Sequence, residues 1–180
     1  VVYLVHDGEM DRELALKVIR PENLISPQAR LRFEAEMLAA ARLQHPSIVS
    51  IHHCGEDDGM AWFTMDRVVG CTLADALERM AGRSPQSVDG CGFLEVVCQQ
   101  TPGEFGPESS GSGSSLFEGS WQQVCLMIGQ RVANALHHAH ERGVLHRDVK
   151  TSNIMVTPTG EVLLFDFGLA RLDDSPGDLT

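Results

Sequence analysis

The stretch His146-Arg147-Asp148-Val149-Lys150-Thr151-Ser152-Asn153 and the later triplet Asp166-Phe167-Gly168 decide how this chain reads. Between them, residues 154–156 and 161–165 are short β-prone runs separated by Thr157-Pro158-Thr159-Gly160, so the two polar clusters bracket a hairpin. Two carboxylates, two cations and an amide are thereby gathered at the ends of one small unit. Immediately upstream, residues 121–142 carry Val124, Ile128, Val132, Ala135, Leu136 and Ala139 at helical spacing, with Gly143 as the stop. That spacing predicts a long helix with one face in a core. Residues 144–146 read as a short strand that leads into the first cluster.

Toward the N-terminus, residues 1–6 and 13–20 read as two strands of a hairpin turned by the polar stretch 7–12. Lys17 lies mid-strand on the face it shares with Ala15 and Ile19, where a solvent-facing lysine is the ordinary expectation. Ser26 before Pro27 is a cap followed by a first-turn proline. It starts a helix through Phe33, Met37, Leu38 and Ala41 that stops before His45-Pro46. Residues 48–53 and 61–68 are two further strand candidates across the turn-rich 55–59, and Thr72 with Asp75 caps a short helix over 73–80. From 82 to about 120 the periodicity gives way to Ser84-Pro85, Gly90, Gly92, Pro102-Gly103, Gly106-Pro107 and a Ser/Gly run at 109–115. This composition predicts an inserted, flexible surface loop, in which only 93–98 is apolar enough to pack.

The chain has 180 residues, 43% of them hydrophobic, and a formal charge of −11. Such a charge repels phosphate backbones and anionic lipid heads, so neither nucleic acid nor a membrane surface is an expected partner. No apolar run nears the roughly 20 residues of a membrane span. Five cysteines, odd in number and without a C-x-x-C pair, read as reduced packing residues, which fits a cytoplasmic setting. His52, His53 and Cys54, or His137, His138 and His140, are the available metal-binding candidates, with solvated helix histidines as the plainer reading of the second group.

The two deciding motifs match H-R-D-L-x-x-x-N, with Val149 in place of leucine, and D-F-G; in that order, joined by a hairpin, they resemble the protein kinases. The resemblance implies an α+β, two-lobed fold: a small β-rich lobe over 1–68, five-stranded when complete, then the start of a helical lobe over 69–180. It implies transfer of the γ-phosphate of ATP to a Ser or Thr hydroxyl of a protein substrate, with Mg²⁺ as cofactor. Asp148 is then the base that orients the hydroxyl and Lys150 the cation on the transferring group, a lysine typical of serine/threonine kinases. Arg147 is the partner of a phosphorylated activation segment, and Asn153 and Asp166 are the oxygen ligands of Mg²⁺. Leu14-Ala15-Leu16-Lys17 resembles the V-A-I-K strand, which places Lys17 on the α- and β-phosphates and reverses the ordinary reading of that lysine. The surroundings of Arg32-Phe33-x-x-Glu36 and Leu43-x-His45-Pro46 resemble bacterial kinases of the eukaryotic type. They make Glu36 the partner of Lys17, with Glu34 as the competitor. Met65 is implied as gatekeeper, the backbone of Asp66 and Val68 as the adenine-binding hinge, and Val2, Ala15 and Met155 as the residues sandwiching the base.

Departures accompany the match. Val1-Val2-Tyr3 resembles the sequence just past the last glycine of a Gly-rich loop, and the chain stops soon after Gly168. The resemblance therefore implies a piece cut at both ends that lacks that loop, most of the activation segment and the rest of the helical lobe, and is inactive by itself. Thr151 replaces a proline common after the catalytic lysine, and the 82–120 insertion is longer than usual. Two rival readings are a nucleotide-binding pseudokinase and a small-molecule phosphotransferase of the same fold. The intact Lys17, Asp148, Asn153 and Asp166 argue against the first, and Arg147 with Lys150 against the second.

Overall fold

The computed structural model describes residues 1–19, 26–103 and 114–167. Strands β1 (Val2–Asp7) and β2 (Arg12–Val18) form the expected hairpin, and β3 (Ile51–Asp57) and β4 (Met60–Asp66) a second one. Together they build a four-stranded antiparallel sheet in the order β1-β2-β4-β3. Helix α1 (Pro27–Ala40) packs on this sheet through Phe33, Met37 and Ala40, which are buried while Leu31, Glu34 and Leu38 face outward. Successive residues of β2 alternate between its two faces, so Lys17 shares with Ala15 the face that carries Phe63 of the core, while the buried Leu14 lies on the other.

Strand β3 begins three residues later than expected because Ile48 and Val49 are used elsewhere. Ile48 bridges Leu164, Val49 N–H donates to the Leu164 carbonyl at 3.0 Å, and Leu164 N–H to the Ser47 carbonyl at 2.9 Å. These bonds stitch the first sheet to a second one, in the order β5-β6-β7, made from β5 (Cys71–Thr72), β6 (Ile154–Val156) and β7 (Val162–Leu164). Residues 144–146, expected as a strand, pair with nothing of the kind; Val144 is buried and Leu145 is exposed.

Thr72 caps helix α2 (Leu73–Arg79) through its hydroxyl, which accepts from Asp75 N–H at 3.1 Å, as the Thr-x-x-Asp spacing predicts. The stretch from 82 to 120 departs from expectation. Residues Gly90–Gln100 form helix α3, capped by the Asp89 carboxylate on Gly92 N–H at 2.8 Å. Its Phe93, Val96 and Val97 are fully buried, with the Phe93 ring 5.2 Å from Trp121 and 6.1 Å from Phe117. Leu116 and Phe117, on the far side of the Ser/Gly run, are buried as well, so the flanks of the supposed loop are core. The Ser/Gly run itself lies largely outside the described residues, as do Gly168 and the implied start of an activation segment. Helix α4 (Trp121–Glu141) follows and ends where Gly143 turns the chain at φ +73°.

One continuous core joins these parts, running from Ile19, Phe33 and Met37 through Leu43 and Ile48 to Val124, Ala135 and Phe167. Of the cysteines, Cys71 alone is fully buried, and burial pushes its thiol up to about 11. Cys54, Cys91 and Cys125 are exposed, so the reading of all five as packing residues is corrected.

Candidate active site

The register of the first sheet arranges the site. Val2 lies opposite Lys17 and Ala15 opposite Met65, so these four share one face with Phe63. From that face Lys17 reaches across to the end of β7, where its Nζ donates to Asp166 Oδ1 at 2.5 Å, a contact spanning 149 residues of sequence. Both side chains are about four-fifths buried, at 22% and 17% exposure, so each charge has traded much of its water for the other. Behind Met65 the interior is nearly filled, leaving about 10 Å³ among Met37, Phe63, Met65 and Phe167.

The loop from α4 to β6 supplies the second half. His146, 1% exposed, donates from Nε2 to the Phe165 carbonyl at 2.9 Å and accepts the Asp148 N–H on Nδ1 at 3.3 Å. Its ring lies 4.6 Å from that of Phe167, so one buried imidazole ties the Asp148 loop to the residues around Asp166. Burial lowers its pKa, opposed by the Phe165 carbonyl and the nearby carboxylates. Asn153 gives both amide hydrogens to Asp148, at 2.9 Å to its carbonyl and 3.0 Å to its carboxylate, and Lys150 Nζ stands 2.6 Å from the same carboxylate. The Lys150 contact is the main influence holding the Asp148 carboxyl below the usual range; desolvation opposes it, and the Asn153 amide adds to the lowering. A carboxylate so held is ionised at neutral pH and is a competent hydrogen-bond acceptor. Arg147 and Asp166 have left-handed backbone at φ +64° and +66°, a conformation non-glycine residues adopt only where the surroundings impose it.

The donor set suits a hard cation. Because Asn153 spends its NH₂ on Asp148, its amide oxygen is the atom left to accept, and Asp166 engages Lys17 through one carboxylate oxygen of two. One or two protein oxygens are what Mg²⁺ uses beside phosphates, in contrast to an all-protein cage. Among the described residues no group of three metal-ligating side chains occurs. Three of the histidines suggested as ligands have other neighbours: His52 contacts Asp66, His137 contacts Glu141, and the half-buried His138 lies against His45 with ring centroids 5.1 Å apart.

One expected contact is not formed. Glu36 does not meet Lys17; it accepts from the Arg147 guanidinium instead, while Lys17 is held by Asp166. Helix α1 presents Glu36 to the exposed Arg147, while Asp166, beyond the end of β7, lies within reach of Lys17. Glu34, the competitor, is exposed and lines a cavity of about 260 Å³ behind α1, beside Phe33 and Cys54. Met155 stands half-buried on β6, Val2 is 54% exposed on β1, and Val68 lines a cavity of about 550 Å³ with Asp66 and Arg67. Neither roomy cavity is lined by Lys17, Asp148 or Asp166, so it is side-chain chemistry that marks the site. Two further residues belong to its frame: His52, which the sequence offered only as a metal-ligand candidate and which binds Asp66, and Glu13, which the sequence did not single out and which binds Arg67.

Known proteins resemble this chain in sequence and fold. The family profile described as protein tyrosine and serine/threonine kinase matches residues 2–177. Serine/threonine-protein kinase PknF of Mycobacterium tuberculosis is 34% identical over 183 residues, covering 99% of this chain and 31% of that protein. PknI of the same organism is 36% identical over 179 residues, covering 97% and 25%. The crystal structure of the M. tuberculosis PknI kinase domain superimposes with a TM-score of 0.65 at 32% identity, over 93% of this chain and 53% of that one. The chain thus spans about a third or less of these curated relatives and about half of the solved kinase domain.

Proposed function

On the premise that this chain belongs to the protein tyrosine and serine/threonine kinase family, we propose that the protein carrying it transfers the γ-phosphoryl group of Mg-ATP to a serine or threonine hydroxyl of a protein substrate. The observation that carries the reading is the convergence of Lys17 and Asp166, 2.5 Å apart, with the hydrogen-bonded Asp148, Lys150 and Asn153 cluster on the same His146 anchor. Lys17 is the cation for the α- and β-phosphates. Asp166 and the Asn153 amide oxygen would hold Mg²⁺, which supplies neutralisation of phosphate charge. Asp148, ionised and fixed by Asn153, accepts the hydrogen bond of the incoming hydroxyl and aligns it for in-line attack. Lys150, beside that carboxylate, would neutralise the charge that builds on the transferring group. The backbone of Asp66 and Val68 takes the base, between Val2 and Ala15 above and Met155 below, with Met65 closing the back.

The test is phosphate transfer from labelled ATP by the full parent protein to itself and to a generic Ser/Thr substrate. Asp148→Asn keeps the shape and the Asn153 contact but removes the charge, and it should cut turnover by about 10²–10⁴-fold while ATP binding persists. Wild-type protein that binds ATP and transfers nothing would replace the reading with a nucleotide-binding regulatory module.

A further inference from the structure

We propose that His52 is a positioning residue that fixes the first hinge residue for recognition of the adenine amino group; the inference rests on the phosphotransfer reading above. It starts from an irregularity in the sheet. Strands β3 and β4 pair Ile51 with Met65 and then His53 with Thr64, which leaves His52 as an extra residue in a bulge. Bulges bend a strand and redirect a side chain, often beside a functional site. Here the redirected imidazole meets the next residue along β4, with His52 Nε2 2.6 Å from Asp66 Oδ1. Two residues earlier, just before β3 begins, the Ser50 carbonyl accepts the Asp66 N–H at 3.0 Å. Asp66 is therefore held through both side chain and backbone by one short piece of chain at the start of β3.

The neighbouring residue is held from the other side. Arg67 donates to Glu13 on β2, so the start of the segment that leaves the first sheet is tied to both strands flanking β4. An exposed ion pair would orient little. The histidine is not exposed: its side chain is 19% accessible against 47% for Asp66, so it acts as a fixed post to which the carboxylate is anchored. Because the Asp66 N–H is spent on Ser50, any hydrogen bond Asp66 makes to a base through its backbone must be accepted by its carbonyl. An exocyclic amino group is the matching donor, and adenine has one. A bulge that locks the Asp66 peptide thus sets the direction of that carbonyl and the preference for a base carrying an amino group.

The experiment compares ATP with purine riboside triphosphate, which differs by lacking that amino group, on the full parent protein. Binding and steady-state transfer are measured for wild type, His52→Phe and His52→Gln. Loss of the pair in His52→Phe should weaken ATP binding by about fivefold to tenfold, with kcat within about twofold, and leave the analogue unchanged. His52→Gln, which keeps an N–H donor, should recover most of the loss, and Asp66→Ala, which removes the other half of the pair, should show the same collapse of the ATP-to-analogue ratio. Equal weakening of both nucleotides, or of neither, overturns the positioning role and leaves the phosphotransfer reading standing. Wild-type protein that takes up neither nucleotide overturns both.

Discussion

His146 sits where three parts of the site meet: the Asp148 loop, the Phe165 carbonyl and the Phe167 ring. Its two hydrogen bonds require the neutral ring, with a proton on Nε2 and a lone pair on Nδ1, and burial supports that form by lowering its pKa. In the unfolded chain the ring takes up a proton near pH 6.5; in the folded one it does so only at lower pH. The unfolded state therefore binds more protons between those two values, so this contribution is complete above about pH 6.5 and is lost as pH falls toward the folded pKa. His45, whose pKa is also lowered by burial, acts in the same direction, so a single melting curve does not isolate one ring. The comparison of His146→Phe with wild type does. The variant should melt lower at pH 7.5 yet lose less on acidification to pH 5.5, and parallel losses in both proteins would refute the neutral-histidine account.

At the scale of elements, α3 carries the sharpest consequence. Phe93 has no exposed surface and its ring packs against Trp121 and Phe117, so Phe93→Ala should destabilise by about 3–5 kcal/mol, read as a drop in melting temperature or denaturant midpoint. A tolerated surface loop would lose almost nothing. The helix was hard to see because Gly90 and Gly92 occupy its first turn and Ser, Gly and Pro crowd both flanks, so composition over the window masked the spacing of Phe93, Val96 and Val97. The legible signal was Asp89, a cap ahead of that spacing. Elements whose local chemistry and burial agree were readable, as in the Thr72-Asp75 cap and in the β1–β2 hairpin. Strand β3 was not placed correctly, since Ile48 and Val49 have strand character but serve the second sheet, and only tertiary pairing decides which partner they take. The chemistry of the site was legible because it is concentrated in two contiguous motifs; the anchoring of Asp66 by His52 was not, because it depends on a bulge that leaves no mark in sequence.

Across the whole molecule, two ion pairs join the first sheet and α1 to the second half of the chain: Lys17 with Asp166, and Glu36 with Arg147. On the proposed phosphotransfer reading, each uses a group that would be needed elsewhere: Lys17 to neutralise phosphates, Asp166 to offer its oxygens to a cation, and Glu36 to steady Lys17 once Asp166 is withdrawn. Entry of Mg-ATP should therefore exchange partners, freeing Asp166 from Lys17 and drawing Glu36 from Arg147. The exchange is within reach energetically, because Arg147 and Glu36 are 34% and 25% exposed and such a pair contributes only about 0–1 kcal/mol. Glu36→Gln separates the two roles. If Glu36 served only Arg147, the variant would lose under about 1 kcal/mol of stability and keep its rate. If it takes over Lys17 during turnover, the same small change in stability should accompany a fall in kcat/KM for ATP of more than about 10-fold, the loss expected when a charge-assisted hydrogen bond is missing from the transition state. Melting curves and steady-state kinetics on the parent protein read the two quantities independently, and a rate within twofold of wild type would mean that Glu36 does no more than hold Arg147.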